Sequence, residues 1–163
     1  MSELKCNIMI LSDTLKKNNI LVNAGSKEPA ELFDKLLNLA VKNGEIQPDD
    51  LVAVKSALIA REKSMTTGIG KGLAIPHCTS PKVNNSIVML ATINEGLNFA
   101  AVDDKPVYIA VLLVFPKSRK SPHVKELAEI AKVLGNNELM KKLLSLKTPN
   151  EILKAVKKYE TGE

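Results

Sequence analysis

Val107-Tyr108-Ile109-Ala110-Val111-Leu112-Leu113-Val114-Phe115 is the longest unbroken apolar run in the chain, and the rest of the sequence is organised around it. Its nine residues are too few for a membrane helix, which takes about 20. The run is apolar at odd and even positions alike, so an extended segment here has two faces to bury. That pattern suits a central strand covered on both sides. A second strand is expected around Ile87 to Ile93.

Outward from these strands the sequence is helical. Ile20-Leu21-Val22 is a short strand-like run, and Ser26 is placed to cap the helix that follows. That helix carries Phe33, Leu36, Leu37, Ala40 and Val41 at the spacing of one buried face, and Asn43-Gly44 ends it. Pro48-Asp49-Asp50 starts a second helix through Leu51, Val54 and Leu58, reaching Arg61-Glu62-Lys63-Ser64. Beyond the central run, Ser121-Pro122 opens a helix. Its expected buried stripe is Val124, Leu127, Ala128, Ala131 and Leu134, with Gly135 closing it. Asn137 to Leu146 reads as another helix, and Thr148-Pro149-Asn150-Glu151 begins the last with a capping-box pattern. Helices and strands alternate without a repeat or a linker, so residues 1–163 are expected to form one α/β domain.

The composition agrees. A chain of 163 residues, 45% apolar and 25% charged, is neither disordered nor collagen-like, and it buries roughly 70% of its unfolded surface. Ser2, Glu3 and Asn7 interrupt any basic-then-apolar leader. Cys6 and Cys78 form no C-x-x-C and no disulfide framework. A cytoplasmic location is expected. The net charge of +5 is spread over lysines interleaved with acids, as in Lys125-Glu126. The densest cluster, Lys117-Ser118-Arg119-Lys120, is short and is read without aromatic partners for base stacking. Nucleic acid is therefore not an expected partner, whereas a local basic rim suits an acidic or phosphorylated one.

Thr66-Thr67-Gly68-Ile69-Gly70-Lys71-Gly72 invites a nucleotide-binding reading and fails it. Gly70-Lys71 fits the end of a phosphate-binding loop, but Met65 occupies the first glycine position and Gly72 follows the lysine. The dinucleotide fingerprint fails as well, with Leu73 at the third glycine. Two readings remain: a flexible turn between helix and strand, or a backbone that passes close to something.

The chain has two histidines. Pro76 holds Ile75 extended, so His77 is expected at a strand end directly after the glycine turn. His123 falls in the first turn of the helix opened by Ser121-Pro122, where the macrodipole favours a neutral imidazole and attracts an anion such as a phosphoryl group. If the two ends meet, a nucleophile and an anion cradle share one site. Zinc is the competitor, with His77, Cys78 and His123 as three ligands. Neighbours on an extended chain face opposite sides, however, so no metal is expected. No Gly-x-Ser-x-Gly elbow supports a serine triad. From spacing alone, Arg61 is a helix C-terminal dipole partner, Thr66 and Thr67 are turn residues, and Glu62 is a solvent-facing acid.

Arg61-Glu62-Lys63, followed by Thr66-Thr67-Gly68-Ile69-Gly70-Lys71-Gly72-Leu73-Ala74-Ile75-Pro76-His77-Cys78, resembles the phosphorylation-site signature of the fructose/mannitol-type (type 2) enzyme IIA proteins. These belong to the bacterial phosphoenolpyruvate-dependent sugar phosphotransferase system. The resemblance extends to Leu11-Ser12-Asp13 and to Pro122-His123-Val124-Lys125-Glu126-Leu127-Ala128, so it spans almost the whole chain.

The resemblance implies an α/β fold with a mixed sheet flanked by helices, and a phosphotransferase component that works as a phosphoryl carrier without a cofactor. His77 is the implied acceptor, taking the group from the phosphohistidine of HPr or an HPr-like protein. The implied recipient is a cysteine of an enzyme IIB component, for sugar uptake. Arg61 becomes a candidate clamp for phosphoryl oxygens, Thr67 a hydroxyl donor and His123 the opposite wall. A nitrogen-type regulatory IIA, binding target proteins according to its phosphorylation state, shares the signature. No membrane segment or fused partner domain is expected under either reading.

Overall fold

The central run forms a ten-residue strand with a different neighbour on each edge. The computed structural model describes residues 11–119 and 123–162. In chain order its elements are α1 (Leu11–Thr14), β1 (Ile20–Leu21), α2 (Pro29–Lys42), α3 (Leu51–Ser64), β2 (Gly68–Gly70), β3 (Leu73–Ala74), β4 (His77–Ser80), β5 (Ile87–Leu97), β6 (Val107–Pro116), α4 (Val124–Leu134), α5 (Asn137–Ser145) and α6 (Pro149–Thr161). One edge of β6 pairs antiparallel with β5, which pairs parallel with β1. The other edge pairs parallel with β3 and then β4. The result is the expected mixed sheet between helices.

β3 and β4 follow one line along β6. Leu73 lies opposite Ile109, Ala74 opposite Ala110, and the same register resumes with His77 opposite Leu113. The break falls at Ile75-Pro76, and a proline has no N–H to give to a ladder. Its carbonyl still accepts from the backbone N of Leu113, at 2.9 Å.

The two parities of β6 serve two cores. Ala110, Leu112 and Val114 pack with Leu36, Leu37 and Leu58 of α2 and α3. Ile109, Val111, Leu113 and Phe115 pack with Leu134, Leu143 and Val156 of α4, α5 and α6. Cys78 belongs to the first core, so His77, its neighbour on β4, faces the α4 side.

Several local expectations change. The cap of α2 is Glu28 rather than Ser26, with Pro29 opening the helix. The Glu31 carboxylate accepts from the backbone N of Lys27 at 2.9 Å, so it satisfies the approach to that helix end. The expected stripe of α4 is met in part: Leu134 is buried and Leu127 and Ala131 pack against the second core, while Val124 and Ala128 are exposed. Val124 is 71% exposed, and the buried residues of α4 are Glu126, Ile130, Val133 and Leu134. Ile130 and Val133 widen the apolar arc of α4 beyond that stripe, and periodicity alone does not fix its centre. Ser121-Pro122, Lys120 and Cys6 lie outside the described residues.

Candidate functional site

The glycine stretch is a hairpin, not a loose turn. β2 and β3 pair antiparallel around Lys71-Gly72, and both residues have left-handed φ, at 57° and 79°. What the backbone approaches is the protein itself. A Cβ on Gly68 would lie 2.8 Å from that of Ala101, and one on Gly72 would lie 2.9 Å from the sulfur of Met140.

Both threonines ahead of the hairpin have committed hydroxyls. Thr66 donates to the carbonyl of Phe99 at 2.6 Å. Thr67 donates its hydroxyl to Oε2 of Glu62 at 2.7 Å and its backbone N–H to Oε1 at 2.9 Å. Thr67 is therefore placed as a loop anchor, its proton already given away. Glu62, read as a solvent-facing acid, is the residue it is anchored to. Nothing in local spacing marks that pair, since the two residues are joined across the end of α3.

His77 opens β4 and is half-buried. Its Nδ1 lies 2.8 Å from the carbonyl oxygen of Ile75. A carbonyl can only accept, so Nδ1 carries the proton and Nε2 keeps its lone pair. Burial pushes the His77 pKa below the ordinary imidazole value. The Ile75 carbonyl opposes this, the Arg61 charge adds to it, and Glu62 opposes it. The ring is thus held as a neutral imidazole with a nucleophilic nitrogen.

His77 looks into a depression of about 380 Å³ whose lining also includes Arg61, Thr67 and Ile75. Its walls are apolar, with Met65 and Ile69 on one side and Val124, Leu127 and Ala131 of α4 on the other. Arg61 gives one N–H to the carbonyl of Met65 at 2.9 Å, the role its place at the end of α3 suggests. Its charge nevertheless reaches His77.

His123 is the N-cap residue of α4, one position before the helix proper. Its ring stacks on Phe115, with centroids 3.7 Å apart and planes 5° from parallel. Burial lowers its pKa, as do the charges of Arg119 and His77. Phe115 belongs to the second core, so His123, stacked on it, is on the same side of the sheet as His77. Arg119 is more than a member of a solvated basic cluster. It lies over the Phe115 ring, 5.5 Å from its centroid, and pairs with Glu126 of α4. Cys78, on the opposite face of β4, is buried near the carbonyl of Val54, and burial pushes its thiol pKa up to about 11.

The family model for the phosphoenolpyruvate-dependent sugar phosphotransferase system, EIIA 2, matches residues 13–159. The chain belongs to this EIIA 2 family. A nitrogen regulatory protein from Bradyrhizobium diazoefficiens is 36% identical over 108 residues, 66% of this chain and 71% of that one. A fructose-specific EIIA component from Haloferax volcanii is 35% identical over 127 residues, 78% of this chain and 80% of that one. The fructose-specific EIIABC component of Bacillus subtilis is 26% identical over 93% of this EIIA 2 chain, which spans only 24% of its length.

Solved structures agree on the fold. The nitrogen regulatory protein IIA-Ntr of Neisseria meningitidis superposes with a TM-score of 0.79 at 23% identity, covering 91% of this chain and 99% of that one. The mannitol IIA of Escherichia coli, solved in complex with phosphorylated enzyme IIB, gives 0.73 at 19% identity over 88% and 96%. Among the described residues, no helix of this EIIA 2 chain is long and apolar enough to cross a membrane.

Proposed function

We propose that this EIIA 2 protein is a cytoplasmic phosphoryl carrier that forms its phosphohistidine at Nε2 of His77. The observation that carries the reading is the bond from Nδ1–H of His77 to the Ile75 carbonyl, which leaves Nε2 as the nucleophile. In the first step the Nε2 lone pair attacks phosphorus as the P–N bond to the histidine of HPr, or of an HPr-like protein, breaks. In the second, a cysteine thiolate of enzyme IIB attacks the same phosphorus and His77 leaves as imidazole. Both are in-line transfers that need positioning and charge stabilisation more than covalent help. Arg61 and His123 supply charge and donors near the phosphoryl oxygens. Thr67, held by Glu62, fixes the loop beneath them. The exposed apolar walls are suited to protein partners rather than to a sugar.

Enzyme IIB is the favoured recipient, supported by the complex of the Escherichia coli mannitol IIA with phosphorylated IIB. The second reading, a regulatory IIA, is supported by the nitrogen regulatory relatives. One of them, from Pseudomonas aeruginosa, is 27% identical over 94% of this chain and 98% of its own. Incubating the phosphorylated protein with purified IIB proteins from the same genome separates the two. Rapid transfer to a IIB cysteine, followed by sugar phosphorylation with the membrane component, supports transport. If no IIB takes the label, and only the unphosphorylated form binds purified kinases or channels, regulation is the function.

A further inference from the structure

Two buried polar atoms at the start of α4 have no hydrogen-bond partner among the described residues: Nδ1 of His123 and Oε2 of Glu126. The first can donate, and the second, on a carboxylate, can only accept. Their side chains are three positions apart at the beginning of one helix, a spacing at which helical side chains are neighbours. Glu126 is 8% exposed, an uncommon setting for a carboxylate. Its other oxygen holds Arg119, which lies over the Phe115 ring on which His123 stacks. Phe115 therefore fixes the plane of the imidazole, Arg119 holds Glu126 by one oxygen one helical turn along, and Glu126 retains the other uncommitted.

We propose that Glu126 is a positioning residue for His123, turning Oε2 onto the Nδ1–H of the imidazole and so fixing Nε2 as the nitrogen available to the His77 depression. The proposal deepens the reading of His77 as phosphoryl acceptor and rests on it for its use. In the resting protein the single ring proton sits on Nδ1, shared with Glu126. When a phosphoryl dianion arrives on His77, Nε2 of His123 takes a proton from solvent and donates it in a hydrogen bond to a phosphoryl oxygen. The proton returns to solvent when the group leaves, and no other bond is made or broken. The surroundings of His123 disfavour its charged form. Burial opposes protonation most, and Arg119, from the segment after β6, and His77, from β4, oppose it further. Glu126, on α4 itself, is the group placed to favour it.

Nitrogen-15 imidazole spectra of the full chain, with and without phosphorylation by phosphoenolpyruvate, enzyme I and HPr, test this. In the unmodified protein, neutral His123 should carry its proton on Nδ1. Phosphorylation should raise its pKa by about one unit or more, a tenfold change in proton affinity. Glu126→Gln should remove at least half of that rise and slow transfer from His77 about tenfold, with Glu126→Asp recovering part of both. A neutral ring protonated on Nε2 in the wild-type protein overturns the proposal, even if every variant fails to fold. So does a folded Glu126→Gln protein whose His123 has unchanged tautomer and titration. Absence of phosphate on His77 would refute the carrier reading instead, and the tautomer of the unmodified protein would still decide the Glu126–His123 contact.

Discussion

Glu62 grips Thr67 twice, accepting its backbone N–H at 2.9 Å and its hydroxyl at 2.7 Å. This pair ties the end of α3 to the entry of the glycine hairpin, and hence to the strand line that delivers His77. Charge-assisted hydrogen bonds of this kind contribute about 1.5–3 kcal/mol each when partly buried. Glu62→Ala should lower stability by roughly 1–3 kcal/mol in denaturant unfolding and slow phosphorylation at His77. Stability within about 0.5 kcal/mol of wild type would mean that the pair does not hold the loop.

The pH dependence follows from the depressed pKa of His77, caused first by burial and then by Arg61, against the Ile75 bond and Glu62. Acceptance needs the neutral ring. The rate of phosphoryl uptake by this protein should therefore stay level as pH falls through about 6.5 and decline only below it. The unfolded chain takes up the proton at higher pH than the folded one, so the contribution to stability also falls as pH drops through about 6.5. Arg61→Gln should move the His77 titration upward. A His77 midpoint at or above 6.5 by NMR titration contradicts this account.

Gly68 is required by space. A Cβ there would meet Ala101 at 2.8 Å and its backbone Cα at 2.9 Å, so Gly68→Ala should cost about 1–3 kcal/mol. Gly25, with nothing within 4 Å of an added Cβ, is the control. Gly25→Ala should be within about 0.5 kcal/mol of wild type. Thermal unfolding of the two variants makes the comparison, and equal effects would remove the case for close packing at the hairpin.

The exposed side of α4 gives a prediction of the opposite kind. Val124 is 71% exposed and Met65 67% exposed, and both line the depression around His77. Val124→Glu should leave the unfolding transition within about 0.5 kcal/mol of wild type while slowing transfer from phospho-HPr by about tenfold. Unchanged transfer kinetics would show that partners do not rest on this wall.

The fold was legible because its signal is redundant. The run from Val107 to Phe115 is apolar on both parities, and the structure uses both, one for each helical layer. The side of the sheet that His77 takes was also legible. It follows from strand alternation, which sends Cys78 to the other side. The exact orientation of α4 was not, because Val124 and Ala128 continue the spacing of the core stripe and stand instead exposed at the His77 depression, while Leu127 and Ala131 reach both it and the core. Hydrophobic periodicity reports that a face is apolar, not what covers it. The partnerships of Glu62 and Arg119 were hidden for a different reason. Each depends on a side chain reaching across a loop, and both residues read locally as ordinary surface charges.

The central claim is that Nε2 of His77 carries the phosphoryl group. Incubating the protein with phosphoenolpyruvate, enzyme I and HPr, then mapping the product by mass spectrometry and phosphorus NMR, measures this directly. The account predicts one phosphoryl group per chain, labile in acid and stable in base, on Nε2 of His77 and absent from His77→Ala. A His77→Ala protein that still accepts the group, or a steady-state phosphate on His123, would contradict it.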